Sequence, residues 1–426
     1  MIRLALPIGA LLTGIALLLL GTGLLNTLLP VRGELEGYTA QVLGLIMSNY
    51  FVGFLIGTRL GPRLIRRIGH IRAFAFCAAL VAICTLLHAL WIDPYGWALL
   101  RIVTGTGLVI LYMVIESWLN AQTGSEQRGQ VFAIYMMVNL VALASAQQLI
   151  RIDSPLQFTL FAISALFITM ALMPITLTRL VPPTMQAGKR VRLRRLNRKV
   201  PVAAAGAVIS GLSMGAFWGM APVYVARLDF STGDIAGFLS ATIIGGAILQ
   251  YPLGRYSDTH DRRSVIMWTT ALAGICALLL AVAGAMLTQL PTLVMLAGFI
   301  YGGFAFAIYP LVVAHLADQL DPNDILEGSG ALLMLHGVGA ALGPTLAGAL
   351  ITQFGASALP LYFMVTQWAL TAVAARDLGR TPKALHPAHQ SGHYVPMVRT
   401  TPEVMQLHPD QDELDTEASP PRREAG

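Results

Sequence analysis

Twelve stretches of this chain are each long and apolar enough to cross a bilayer, and that repetition limits the fold more than any other feature of the sequence. A hydrocarbon core of about 30 Å takes about 20 mostly apolar residues wound as a helix, because a helix pairs its own backbone polar groups where lipid offers none. Bounded by charges and Pro/Gly turns, the runs cover 5–30, 39–61, 73–92, 96–119, 130–150, 156–179, 201–226, 233–254, 264–286, 291–314, 326–352 and 357–375. The first follows Met1-Ile2-Arg3 and far exceeds a signal-peptide core of about 7–15 residues, so it reads as a retained helix. Composition closes off the alternatives. Of the 426 residues only 12% are charged and 55% are hydrophobic, whereas a soluble domain carries about a quarter charged residues. A soluble enzyme, a disordered chain and a nucleic-acid binder are thereby excluded. Cys77, Cys84 and Cys276 lie inside apolar runs and in no paired motif, so neither a disulfide framework nor a metal site is expected.

The formal charge of +6 is distributed by side. With the N-terminus inside, the inner loops and helix ends hold Arg3, then Arg59, Arg63, Arg66, Arg67 and Arg72, then Arg128, the block from Arg179 to Lys199, and Arg255, Arg262 and Arg263. The other side holds Arg32, Arg151 and Arg227. The positive-inside rule then predicts a multi-pass protein of the cell (inner or plasma) membrane with both termini cytoplasmic. The block around Lys189-Arg190-Val191-Arg192-Leu193-Arg194-Arg195 either tethers to anionic lipid, at about 1 kcal/mol per basic residue, or simply anchors topology. Beyond Leu378 the chain is proline-rich and polar with an acidic run from Asp410 to Glu417, the composition of a disordered tail. The expected organisation is an N-terminal six-helix bundle over 1–180, a basic linker over 181–200, a C-terminal six-helix bundle over 201–378 and a cytoplasmic tail over 379–426.

The two halves repeat one another. The second run ends in Gly53-x3-Gly57-x3-Gly61-Pro62 and then Arg66-Arg67-Ile68-Gly69-His70-Ile71-Arg72; the eighth ends in Pro252-Leu253-Gly254-Arg255 and continues to Asp258 and Arg262-Arg263. Glu116 precedes Arg128-Gly129 by twelve residues, and His315 precedes Glu327-Gly328 by the same interval. With these residues the chain resembles the major facilitator superfamily of secondary transporters. Gly254, Asp258, Arg262 and Arg263 match its loop signature, Leu100-Arg101-Ile102-Val103-Thr104-Gly105 its helix-four motif, and Gly339-x3-Gly343-Pro344 its glycine-proline packing. Glu116-Ser117-Trp118-Leu119-Asn120 with Arg128-Gly129 and the hairpin Gly69-His70-Ile71-Arg72 resembles a bacterial subgroup, the YcaD-like proteins. The resemblance covers residues 1 to about 378. It implies an all-α integral membrane protein, twelve transmembrane helices in two pseudo-symmetric six-helix bundles, that moves a small solute by rocker-switch alternating access as a monomer.

One departure stands out. Arg66 occupies the place of the family's first-half loop aspartate, facing a helix-eleven start that here carries Glu327, while Asp258 in the second half faces a helix-five start that carries Arg128. The expectation is a cytoplasmic gate in which Arg66 pairs with Glu327 and Asp258 with Arg128, beside Arg262 and Arg263; plain interfacial topology charges are the alternative.

Within the apolar runs, Arg101 is the clear charge, and such groups usually carry function. It either attracts an anionic solute or serves proton coupling, unless carbonyls of a neighbouring helix satisfy it. Glu116 reads as a proton acceptor or as an ion-pair partner of Arg63 or Arg67, and His315 and His336 could titrate near neutrality. In the family the cavity is lined by helices one, four, seven and ten, which implies Asn26, Arg101, Tyr112, Ser213, Trp218, Tyr301 and Tyr309 here. Gln147 and Gln148 are adjacent and cannot face one direction. The scarcity of buried acids argues for neutral, amphipathic or anionic cargo. No nucleotide-binding loop, catalytic constellation, cofactor motif or metal cluster is legible, so an enzyme is not expected. The sequence supports a secondary active transporter of a small organic solute driven by the proton gradient; the other reading is a transporter-like receptor that signals through its cytoplasmic tail.

Overall fold

The computed structural model describes residues 2–123, 128–177, 200–320 and 322–380, and the side chains of 8–123, 130–177, 200–320 and 328–379. Twelve helices are long and apolar enough to cross a membrane: α1 Ile8–Leu35, α2 Ala40–Ile68, α3 His70–Leu90, α4 Pro94–Gln122, α5 Gln130–Arg151, α6 Thr159–Leu177, α7 Pro201–Ala226, α8 Thr232–Thr259, α9 Arg262–Met286, α10 Pro291–Ala317, α11 Gly328–Phe354 and α12 Ala358–Gly379. Each contains the core of one apolar run. Several extend into the flanking polar residues: α2 continues past Pro62 to Ile68 with Arg66 and Arg67 in its last turn, where cations meet the negative end of the helix dipole. Polar caps mark the starts. The Thr39 hydroxyl accepts from the Val42 amide, Asp93 from the Gly96 amide at 2.7 Å, and Ser231 and Asp234 form a reciprocal capping box.

Odd-numbered helices run away from the termini and even-numbered ones return, which gives the molecule a termini face and a distal face. The pattern of neighbours repeats. In the first half α1 packs on α5 and α6, α2 on α4, and α3 on α4 and α6; six helices later α7 packs on α11 and α12, α8 on α10, and α9 on α10 and α12. The halves meet through α2 with α11 and through α5 with α8, two contacts that the same exchange relates. Large apolar side chains such as Phe76, Ile83, Met137, Leu166, Trp268, Leu279 and Val365 point outward as a lipid-facing belt, an arrangement that water would penalise and a bilayer rewards.

The α2/α11 seam depends on two glycines. A Cβ on Gly44 would lie 2.3 Å from the Pro344 carbonyl oxygen, and one on Gly348 would lie 2.3 Å from the Ala40 carbonyl oxygen. The helices therefore touch backbone to backbone at the distal end, as small residues permit in membranes. Further along, at Gly337, the neighbour is the flexible side chain of Leu55.

Candidate functional site

Polar links between the halves gather at the distal face. Arg227, at the end of α7, places Nε 2.7 Å from Glu34 Oε1 at the end of α1. Arg151 donates from Nη2 to the Gly233 carbonyl at 2.6 Å. Gln148 donates to Ser240 Oγ at 2.6 Å and to the Ala236 carbonyl at 3.2 Å, and Ser240 donates to the Ala144 carbonyl at 2.9 Å. Across α2 and α11, Ser48 and Thr345 hydroxyls are 2.7 Å apart, and the Gln41 amide donates to Thr352 Oγ1 at 2.9 Å. Gln147 turns the other way, where its side-chain oxygen accepts from Thr27 of α1 within the first half, so the adjacent glutamines do face apart. Arg32 pairs with Glu36 at 2.5 Å and donates to the Pro155 carbonyl. The three arginines of the distal side are thus all engaged, and two of them join the halves.

The first half buries two charged groups. Arg101, 1% exposed on α4, donates from Nη2 to Asn26 Oδ1 of α1 at 2.9 Å, and its guanidinium lies 4.5 Å over the Tyr50 ring of α2. The structure brings Asn26 of α1 and Arg101 of α4 together as a hydrogen-bonded pair, with Tyr50 of α2 as an aromatic partner that had no signal in the sequence. Glu116, 0% exposed, accepts from the Tyr135 hydroxyl of α5 at 2.9 Å. Arg63 and Arg67 are exposed and form no ion pair with it among the described residues. Tyr112 is buried a turn before Glu116 on the same helix.

In the second half the residues implied by the family separate into two groups. Ser213 and Tyr301 turn into the bundle toward α12: Ser213 Oγ lies 2.8 Å from Thr366 Oγ1 and accepts from Gln367 Nε2 at 3.2 Å, and Tyr301 stacks on Phe363 at 5.1 Å. Trp218 and Tyr309 are only half-buried. Trp218 meets Phe217 and Phe306 edge to face at 5.2 and 5.9 Å, and Tyr309 lies 4.4 Å from the His336 ring. His336 in turn places Nδ1 3.1 Å from Ser210 Oγ of α7.

Helix α10 is interrupted between these groups. It divides into Pro291–Ala305 and Ile308–Ala317. Pro310 explains the break, since it has no amide to offer the carbonyl four residues earlier, that of Phe306. Gln250, fully buried on α8, donates to that carbonyl from Nε2 at 3.2 Å.

At the termini face the signature arginines form ion pairs with described residues of their own half. Arg262 holds Asp258 at 2.9 Å and Asp318 at 2.6 Å, and Arg263 holds Asp261 at 3.0 Å and Asp377 at 3.4 Å, which ties together the ends of α8, α9, α10 and α12. His315 is buried within electrostatic reach of Arg263, Asp377, Asp261 and Arg262. Arg66 is exposed and makes no ion pair with a described residue. The side chains of Arg128 and Glu327, the expected partners of Asp258 and Arg66, lie outside the described residues, as do the basic linker over 181–199 and the tail. No cluster of metal-ligating side chains occurs among the described residues.

Two pseudo-symmetric six-helix bundles, joined through α2/α11 and α5/α8, form the architecture of a secondary transporter. A model of the Major Facilitator Superfamily matches residues 11–203 and again 203–392, and the chain belongs to that superfamily. Among curated proteins it is similar to the MFS-type transporter YcaD of Escherichia fergusonii, 28% identical over 354 residues that cover 82% of this chain and 90% of that protein. It is likewise similar to YcaD of Escherichia coli, 27% identical over 383 residues, or 88% and 97% of the two chains. Among solved structures, the nucleoside transporter NupG superposes with a TM-score of 0.74 at 15% identity over 89% of this chain and 99% of that one. A bacterial homologue of the human lysosomal transporter Spinster, inward-facing and occupied, gives 0.68 at 14% identity over 88% and 98%. The E. coli fucose:proton symporter FucP gives 0.54 at 16% identity over 89% and 100%.

Proposed function

We propose that this protein is a proton-coupled secondary active transporter of a small organic solute, that it works as a monomer by rocker-switch alternating access, and that both termini lie in the cytoplasm of the cell whose inner or plasma membrane holds it. The observation that carries the reading is the seam that the described residues form between the halves at the distal face. Glycine contacts, hydroxyl pairs and the Glu34–Arg227 ion pair draw the bundles together at the distal face, while at the termini face Arg262 and Arg263 pair inside one half. Among the described residues, the links that would hold one face shut in such a cycle gather at the distal side. The termini-face gate of this reading is Arg66 with Glu327 and Asp258 with Arg128, of which the Glu327 and Arg128 side chains lie outside the described residues. Orientation rests on the arginine cluster of the α2–α3 hairpin and the basic linker, which favour the cytoplasm. Proton coupling is supported by buried ionisable groups in both halves and by likeness of fold to a proton symporter.

The hydroxyls of Ser48 and Thr345 are close enough for a disulfide after substitution by cysteine. In a background without Cys77, Cys84 and Cys276, oxidation of Ser48→Cys with Thr345→Cys stops solute flux and reduction restores it. Undiminished flux in fully cross-linked protein overturns alternating access at this seam.

A further inference from the structure

Charge is unevenly settled across the termini face. In the second half the described acids there, Asp258, Asp261, Asp318 and Asp377, are each held by Arg262 or Arg263. The first half brings Arg59, Arg63, Arg66, Arg67 and Arg72 to the same face on the α2–α3 hairpin, all of them exposed. None of the five forms an ion pair or hydrogen bond with a described residue, and the described acid of that half toward this face, Glu116, is buried against Tyr135. Arg59, Arg63 and Arg67 follow one another at intervals of four along α2, a spacing at which like charges lie side by side and oppose the helix. Arg72 stands in the first turn of α3, whose dipole favours an anion at that end. The hairpin is nevertheless firmly built: Ile65 and Ala73 are buried, and Gly69, at a φ of 84°, turns the chain while its amide donates to the Ile65 carbonyl at 2.8 Å. Five guanidinium groups are thus displayed on a fixed backbone, a preorganised surface for a polyanion.

We propose that the polyanion is the acidic run of this chain's own C-terminal tail, Asp410, Asp412, Glu413, Asp415 and Glu417, docked on the arginines of the α2–α3 hairpin. Five carboxylates answer five guanidinium groups, and each arginine fork can take a carboxylate two oxygens at a time. The tail also starts in the right place. α12 returns to the termini face, where the described chain ends at Arg380. Residues 381–409, at up to about 3.3–3.6 Å each, can reach about 95 Å or more. Twelve helices packed about 8–10 Å apart make a face about 40 Å across, so the run meets the hairpin with chain to spare. Exposed ion pairs are weak one by one, but a tethered partner acts at an effective concentration of about millimolar, and five pairs act together. Because α12 belongs to the second half and the hairpin to the first, the docked tail is a strap over the termini face. It shares Arg66 with the gate proposed above.

Disulfide trapping in the full-length protein, purified in a nonionic detergent, tests the docking. In a background with Cys77, Cys84 and Cys276 replaced by alanine, Ile71→Cys places a thiol on the exposed hairpin beside Arg72, and Thr416→Cys places one inside the acidic run. At low salt this pair should close about tenfold or more faster than in a variant with Arg63, Arg66, Arg67 and Arg72 changed to glutamine. Salt at about 1 M, where the screening length falls to about 3 Å, should erase the difference. Changing Asp410, Asp412, Glu413 and Asp415 to lysine should slow closure as much, and adding glutamate at the four arginine positions should restore it, a recovery that misfolding would not give. Equal rates with and without the arginines, a rate indifferent to salt, or no recovery in the combined variant overturns the proposal. So does faster closure with Asn197→Cys than with Ile71→Cys, which would give the tail to the basic linker. A rate that collapses on moving the protein from phosphatidylcholine nanodiscs to ones containing phosphatidylglycerol would give the arginines to lipid headgroups and overturns it too. The measurement needs neither solute nor gradient, so its failure leaves the transporter reading standing; arrest of flux by the Ser48–Thr345 cross-link decides that reading separately.

Discussion

Glu34 and Arg227 close the distal face as a pair: the carboxylate ends α1, the guanidinium ends α7, and 2.7 Å separates Oε1 from Nε. Each belongs to a different bundle, so the pair exists only while that face is shut. Its side chains are 23% and 27% exposed, which limits it to the modest value of a solvent-screened ion pair, about 0–1 kcal/mol. Two transporter states nevertheless differ by only a few kcal/mol, and small terms move populations.

Glu34→Gln should therefore raise the population open at the distal face by up to about fivefold. A cysteine at Ser48, within the seam, reports this as a faster reaction with a membrane-impermeant maleimide added from that side. The reversed pair Glu34→Arg with Arg227→Glu should return the rate toward that of the wild type. If the double variant reacts as fast as either single reversal, the pair does not set the gate.

Arg101 should prove structural before it proves functional. Asn26→Leu removes the acceptor of a charge-assisted hydrogen bond inside the first bundle, a change that costs about 1.5–3 kcal/mol. Arg101→Lys keeps the charge but not the planar group stacked over Tyr50. Both should lower the thermal unfolding midpoint in detergent, and Arg101→Lys should not recover the wild-type value.

Glu116 offers a contrast. Tyr135→Phe strips its fully buried carboxylate of a donor and should destabilise by about 1–3 kcal/mol. Glu116→Gln leaves an oxygen to accept the same bond and should be milder. Thermal unfolding midpoints in detergent read both variants, and a Tyr135→Phe midpoint equal to that of the wild type would show that this bond carries no stability.

The Asp261 carboxyl, at the start of α9, is pushed up by burial but lowered more by hydrogen bonds from the Arg263 side chain and amide and by the Arg263 charge, so it ends below its ordinary value. A depressed carboxyl stabilises the fold fully above its unfolded value of about 4 and loses that contribution as pH falls through the folded one. Melting curves at about pH 7 and about pH 3.5 should show a larger drop for the wild type than for Asp261→Asn, which has no such contribution to lose.

Much of the architecture was legible because lipid makes a simple demand of sequence. Length and apolarity located all twelve helices, and the repeat of Gly254 to Arg263 against the α2–α3 hairpin exposed the two halves. Partners were less legible, because they depend on how each helix is rotated about its axis. Ser213 faces α12 while Met214, one residue on, is half-buried. Glu116 accepts from the Tyr135 hydroxyl, and Arg262 holds Asp318, at the end of α10, as well as Asp258. Hydropathy carries no information about such rotations. The adjacent Gln147 and Gln148 did carry some, since neighbours on a helix must diverge, and they serve different interfaces. Pro310 carried more: a proline inside an apolar run announces an orphan carbonyl, and that signal leads to Gln250.

That carbonyl has a mechanical meaning. The Phe306 oxygen is held by the tip of a side chain from α8 and not by the backbone of its own helix, so α10 has a knee at mid-depth. Its distal shank and its lower shank, which runs down to Asp318 and its bond with Arg262, are therefore joined at that point by a side chain of α8 instead of a backbone bond. A single amide at the end of Gln250 thus stands where a whole ladder rung would otherwise be.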